Sequence, residues 1–123
     1  MDEELLLDLF ASLPDADVRR MFGGQGVFCG GLMVAVVISG ELYLKTDAET
    51  EAAFQEAGSL QWTYARKDRA AVRMSFYRLP DAAFDDPDEM ALWAHRALDA
   101  ARRSAIAKPK KSRRKVAAAL DDE

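Results

Sequence analysis

The residues able to do chemistry are few and scattered. His95 is the only histidine in the 123 residues, and its neighbours Arg96 and Asp99 place it on a charged helix face, where an imidazole is a surface group and not a general base. Cys29 is the only cysteine. It ends a strand-like run, where a small buried thiol packs; a nucleophile would need a histidine that the sequence does not bring near it. The carboxylates gather at helix starts, where they complement the helix dipole. No His/Cys/carboxylate spacing suits zinc. The sequence therefore assigns no catalytic, cofactor-binding or metal-ligating residue and implies no cofactor; a small enzyme working through Cys29 is the weaker alternative.

Two groupings suit binding better. Gly23-Gly24-Gln25-Gly26 places three glycines within four residues, which demands a special backbone path. A phosphate loop would continue into Gly-Lys-Ser/Thr and a helix, and neither follows. The amides of Gly23, Gly24 and Gly26 beside Arg19, Arg20 and Lys45 form a candidate nest for a small anion. The plainer reading is a tight turn, with positive φ expected at Gly24, plus a bulge that lets Phe22 and Phe28 both reach the core. The second grouping is aromatic. Tyr43, Trp62, Tyr64 and Tyr77 fall in strand-like runs, where such residues usually pack; on the wetter face of a sheet they become a candidate partner surface.

The elements that must position these groups are legible from period and punctuation. Leu5, Leu6, Leu9, Phe10 and Leu13 recur at helical spacing, and Pro14 stops that helix. Val27 to Cys29, Leu32 to Ile38 and Glu41 to Lys45 are strand-like, joined by Gly30-Gly31 and Ser39-Gly40, the two-residue loops of primed hairpin turns. Val18 to Met21 adds a short strand before the glycines. Thr46 and Glu49 read as a capping box for a second helix over 47–57 that Gly58 ends. Trp62 to Ala65 and Ala71 to Leu79 make a further strand pair, with Val72, Met74 and Phe76 assigned to the core face and Arg73, Ser75 and Tyr77 to the wetter one. Asp86, Pro87 and Glu89 occupy N-cap, N1 and N3 of a last helix reaching about residue 105, with Met90, Ala94, Ala97, Leu98 and Ala101 in its apolar stripe and Trp93 at the edge. The order predicts an α+β domain: a largely antiparallel sheet, meander plus hairpin, with three helices mainly on one face.

Charge divides the chain. Residues 1–107 carry 11 Lys and Arg against 18 Asp and Glu, a net −7, whereas residues 108–123 carry six against three; together they make the chain's −4. Lys108, Lys110, Lys111, Arg113, Arg114 and Lys115 have no apolar period, so residues 108–123 are expected to be a solvated, disordered basic tail beside one folded domain over 1–107. These six cations are the candidate nucleic-acid contact, weak and nonspecific. The acidic start, the absence of an 18-residue apolar run and the single cysteine point to a cytoplasmic protein with no membrane contact.

Four stretches, in their order and spacing, carry a resemblance: Arg19-Arg20-Met21-Phe22-Gly23-Gly24-Gln25-Gly26-Val27-Phe28, Gly40-Glu41-Leu42-Tyr43-Leu44-Lys45-Thr46-Asp47, Arg73-Met74-Ser75-Phe76-Tyr77-Arg78-Leu79-Pro80 and Leu92-Trp93-Ala94. Together they resemble the N-terminal domain of the TfoX/Sxy competence regulators over roughly residues 3–103. The resemblance implies a bacterial, non-enzymatic regulator that raises transcription through protein contacts, as an adaptor to a transcription factor such as a cyclic-AMP receptor protein or to other transcription machinery. The second domain of the full-length regulators has no counterpart here, and the basic tail stands in its place. The alternative remains a binding module for a small anionic ligand.

Overall fold

The computed structural model describes residues 1–21, 23–64 and 71–107. Helix α1 (Glu3–Leu9) begins at Asp2, whose carboxylate accepts from the Leu5 amide at 3.2 Å, filling one orphan donor of the first turn. Leu6, Leu9, Phe10 and Leu13 are buried as their spacing predicts, but Leu5 stays 44% exposed.

Strands β1 (Ala16–Met21), β2 (Gly24–Cys29), β3 (Leu32–Ile38) and β4 (Glu41–Lys45) follow as an antiparallel meander. The hairpin turns match their chemistry: Gly30 and Gly31 have φ of 58° and 82°, and Ser39 and Gly40 have 51° and 79°, positive at both central positions as a type I′ turn requires. The register shifts after Val27, which faces Ala35 while Phe28 faces Met33, so Val34 is the extra residue of a bulge.

Helix α2 (Glu51–Glu56) leads to β5 (Gln61–Tyr64) and β6 (Val72–Arg78); β6 inserts between β4 and β5, giving the six-stranded order β1-β2-β3-β4-β6-β5. A short 3₁₀ turn (Asp81–Phe84) precedes α3 (Pro87–Ala107). Asp86 accepts from the Asp88 and Glu89 amides at 3.1 and 3.3 Å, as the sequence implies.

Two local expectations are corrected. The capping box at Thr46 and Glu49 does not form. Thr46 is buried, and its amide pairs with the Ser75 carbonyl at 2.9 Å. The reciprocal pair is Asp47 with Thr50: the Thr50 amide donates to Asp47 Oδ1 at 3.1 Å and the Asp47 amide donates to Thr50 Oγ1 at 3.0 Å. α2 consequently starts later than 47. Its end agrees with expectation, since Ser59 and Gly58 donate to the Phe54 and Gln55 carbonyls in a Schellman arrangement around Gly58 at φ 77°, a φ glycine adopts without penalty.

The second correction concerns β6. Its core-facing residue is Tyr77, not Phe76: Tyr77 joins Leu79, Phe54 and Trp93 in the core between sheet and helices. Val27, Ala35, Val37, Leu42 and Leu44 line the sheet's inner face, and Met90, Ala94, Ala97, Leu98 and Ala101 of α3 pack on it. Trp93 is buried within this core instead of lying at its edge, and its indole N–H donates to Glu89 Oε2 at 3.1 Å.

Candidate functional site

The helices cover one face of the sheet, and among the described residues no helix packs on the other. That outer face follows from strand alternation. On β1 and β2, Arg19, Met21, Gly26 and Phe28 project there. Gly26 has no side chain because Met21 and Phe28 close over it: a Cβ would lie 2.6 Å from Met21 Sδ and 2.9 Å from Phe28 Cε1. Arg19 stacks above, its Cζ 5.0 Å from the Phe28 ring centroid, and its Nε donates to Asp17 at 3.0 Å. Phe28 thus belongs to the outer face and not to the core, which corrects the expectation for it; Phe22 lies outside the described residues.

Val36 carries the apolar surface across β3, paired with Gly26 on one side and Tyr43 on the other. Beyond it lies an aromatic cluster. The Tyr43 and Trp62 rings are 6.1 Å apart, and Trp62 meets Phe76 nearly edge-on at 6.0 Å, geometries typical of attractive ring pairs. Lys45 Nζ sits 5.2 Å from the Phe76 centroid, within cation–π range. Arg78, opposite Tyr43, pairs with Glu41 at 2.9 Å. Tyr64, opposite Val72 at the sheet edge, is exposed.

The expected site residues therefore separate. Arg19 and Lys45 lie on the outer face at different strands. Arg20, Gly23 and Gly24 instead border a cleft of about 480 Å³ at the end of the sheet, together with Gln25, Ser39 and Gly40. Lys45 stands at the far end of β4 from that cleft, so the anion nest drawn from Arg19, Arg20 and Lys45 together is not assembled. Gly23 alone of the three glycines has positive φ, at 72°. Tyr77 is withdrawn from the surface altogether, with its hydroxyl accepting from Gln55 Nε2 at 3.1 Å. Phe76 takes its place in the outer cluster. The signal was present in the sequence: Tyr77 alternates with Leu79, whereas Phe76 alternates with Arg78. The six tail cations, Lys108 to Lys115, lie outside the described residues.

Cys29 is buried, and its thiol donates to the Pro14 carbonyl at 3.1 Å, a structural contact tying the chain before β1 to the end of β2. His95 is exposed on α3. Among the described residues, three or more His, Cys, Asp or Glu side chains do not gather at metal-binding distance, and no helix is long and apolar enough to cross a membrane.

A family model, the TfoX N-terminal domain, matches residues 8–101. The chain belongs to that family. It is also 31% identical over 70 residues to the DNA transformation protein TfoX1 of Aliivibrio fischeri, a match covering 57% of this chain and 34% of that protein. The chain thus spans about a third of the length of this curated relative. Within the TfoX N-terminal domain the matched span contains the whole sheet and most of α3, so the outer face lies inside the family's unit.

One charged contact among the described residues serves the fold. Arg103 on α3 donates to both Asp47 oxygens, at 2.5 and 3.1 Å, and its Nε lies 2.6 Å from Glu49. The guanidinium's hydrogen bond, opposed by burial and aided by Thr50, lowers the Asp47 carboxyl from 3.8 to about 2. A carboxyl depressed by folding contributes stability that is complete above its unfolded value and lost as pH falls through the folded one. The window is therefore pH 4 down to 2. Asp47→Asn is expected to flatten this limb: between about pH 5 and pH 2.5 its melting temperature should fall less than the parent's, and parallel curves would show that the pair is not coupled to folding.

Proposed function

We propose that this TfoX N-terminal domain is a non-enzymatic, cytoplasmic regulatory adaptor that acts in transcriptional, competence-type control through protein contacts. The observation that carries this reading is the outer sheet face. Tyr43 and Trp62, half-buried and backed by the buried Phe76, form a connected aromatic patch, and aromatic anchors flanked by arginine are the residues that dominate protein interfaces. The partner is a transcription factor or a component of the transcription machinery. The similarity to a DNA transformation protein supports the competence setting.

In this reading the folded domain does not read DNA. Its net charge of −7 over residues 1–107 repels phosphates, whereas the six cations of residues 108–123 attract them. Gel shifts across a salt series test the division. The full chain should bind DNA weakly and without regard to sequence, with a log–log salt slope no steeper than about −5 for six phosphate contacts, and a chain ending at Ala107 should not bind. Sequence-specific binding that survives the truncation would place DNA reading in the folded domain and end the adaptor reading, since phosphate contacts position a protein without specifying bases.

A further inference from the structure

A second surface, remote in character from the aromatic face, lies among the helices. α1, the 3₁₀ turn and the first turns of α3 enclose a groove of about 330 Å³, with Leu5, Leu9, Phe84, Pro87 and Met90 among its walls. Leu5 and Phe84 are 44% and 37% exposed, although the helical period of α1 predicts Leu5 inside. The groove is thus apolar and open.

Its surroundings carry one sign of charge. Residues 1–18 and 79–95, which supply the groove walls, contain no Lys or Arg at all. Asp8 stands in the wall itself, Glu4 precedes it by one helical turn, and Asp85 and Asp88 flank Phe84 and Pro87. Some nearby carboxylates have local work: Asp2 and Asp86 cap helices, and Glu89 holds Trp93. Glu4, Asp8, Asp85 and Asp88 make no ion pair among the described residues. Asp8 in the wall, with Glu4, Asp85 and Asp88 close by in the chain and no cation in these segments, gives the trough's surroundings a negative sign that attracts a cationic occupant.

We propose that this groove receives a basic amphipathic helix of a partner protein. Apolar side chains at i, i+3 or i+4 and i+7 fit a trough of this kind. Lysines or arginines along the helix's polar edges meet Glu4, Asp8, Asp85 and Asp88, setting orientation and rate of encounter. The inference goes beyond the adaptor reading and does not depend on it, because it uses neither the sheet face nor the tail.

The probe is a 14-residue peptide of leucine and lysine with leucines at helical spacing; its control has the same composition in strict alternation, which cannot gather leucines on one helix face. Titrated into the full chain at physiological salt, the helical-period peptide should bind at least about tenfold more tightly than the control. Asp8→Lys, an exposed change that leaves the core untouched, should weaken it by about tenfold, and Phe84→Ser should do likewise, both with unchanged circular dichroism. Trp62→Ser on the sheet face should have no effect. Equal binding of the two peptides, or an Asp8→Lys affinity within about twofold of the parent's, would overturn the proposal. So would tighter binding after removal of residues 108–123, which would give the groove to the chain's own basic segment. A dimer that Phe84→Ser dissociates would overturn it in favour of a second copy.

Discussion

Gly24→Val should destabilise the domain by about 3 kcal/mol, seen as a melting temperature lower by about 10–20 °C. The cause is space. Gly24 does not adopt positive φ, but a Cβ there would lie 2.0 Å from the Val37 carbonyl oxygen and 3.2 Å from its carbon. Those are backbone atoms of the neighbouring strand, so no side chain can swing aside to make room; β2 and β3 must part where Gln25 faces Val37. Gly24→Ala should already carry most of the loss, since the first carbon is the one that collides. Gly23 provides the contrast: its φ is 72° and nothing stands within 4 Å of a Cβ built on it, so Gly23→Ala should cost only about 1 kcal/mol of conformational strain. If Gly24→Ala and Gly23→Ala melt together, the close strand approach is not what the glycine serves.

That pair also shows how far the sequence could be read. The density of glycines announces an unusual backbone but misplaces it: positive φ, expected at Gly24, belongs instead to Gly23, at 72°. It cannot show that Gly24 and Gly26 answer steric demands from partners, because Val37 and the Met21–Phe28 closure are brought alongside only by strand pairing. The hairpins, the last helix and the helix face at Leu6, Leu9 and Phe10 were legible because local turn chemistry and period determine them. The phase of β6 was ambiguous over Val72 to Tyr77, where either alternation offers an aromatic, and only the next two residues, Arg78 and Leu79, resolve it. α2 was misplaced at its start because Thr46 and Asp47 are both good caps and the sheet claims Thr46 first through Ser75. The outer cluster of Tyr43, Trp62 and Phe76 needed the strand order, since β6 reaches Tyr43 only by inserting between β4 and β5.

Phe54→Ala is expected to cost about 3–5 kcal/mol, a large share of the roughly 5–15 kcal/mol that holds a domain of this kind folded. Phe54 is fully buried, with its ring centroid 4.6 Å from Trp93 and 5.7 Å from Tyr77, so one side chain joins α2, α3 and β6. α2 has six residues, too few to persist on their own hydrogen bonds; it is held by this ring and by the Asp47–Arg103 contact at its start. Truncating the ring leaves a cavity lined by Trp93 and Tyr77, whose positions are set by α3 and by the Gln55 hydrogen bond and which cannot both collapse into it. Phe76→Ala makes the decisive comparison. Phe76 is nearly as buried, at 8% exposure, but it lies on the outer face, where solvent and Trp62 can fill the vacancy, so its loss should be about half as large or less. Urea denaturation of the two variants measures the difference. A larger loss for Phe76→Ala would mean that the helices cover the face bearing Tyr43 and Trp62, and that Tyr77, not Phe76, faces outward.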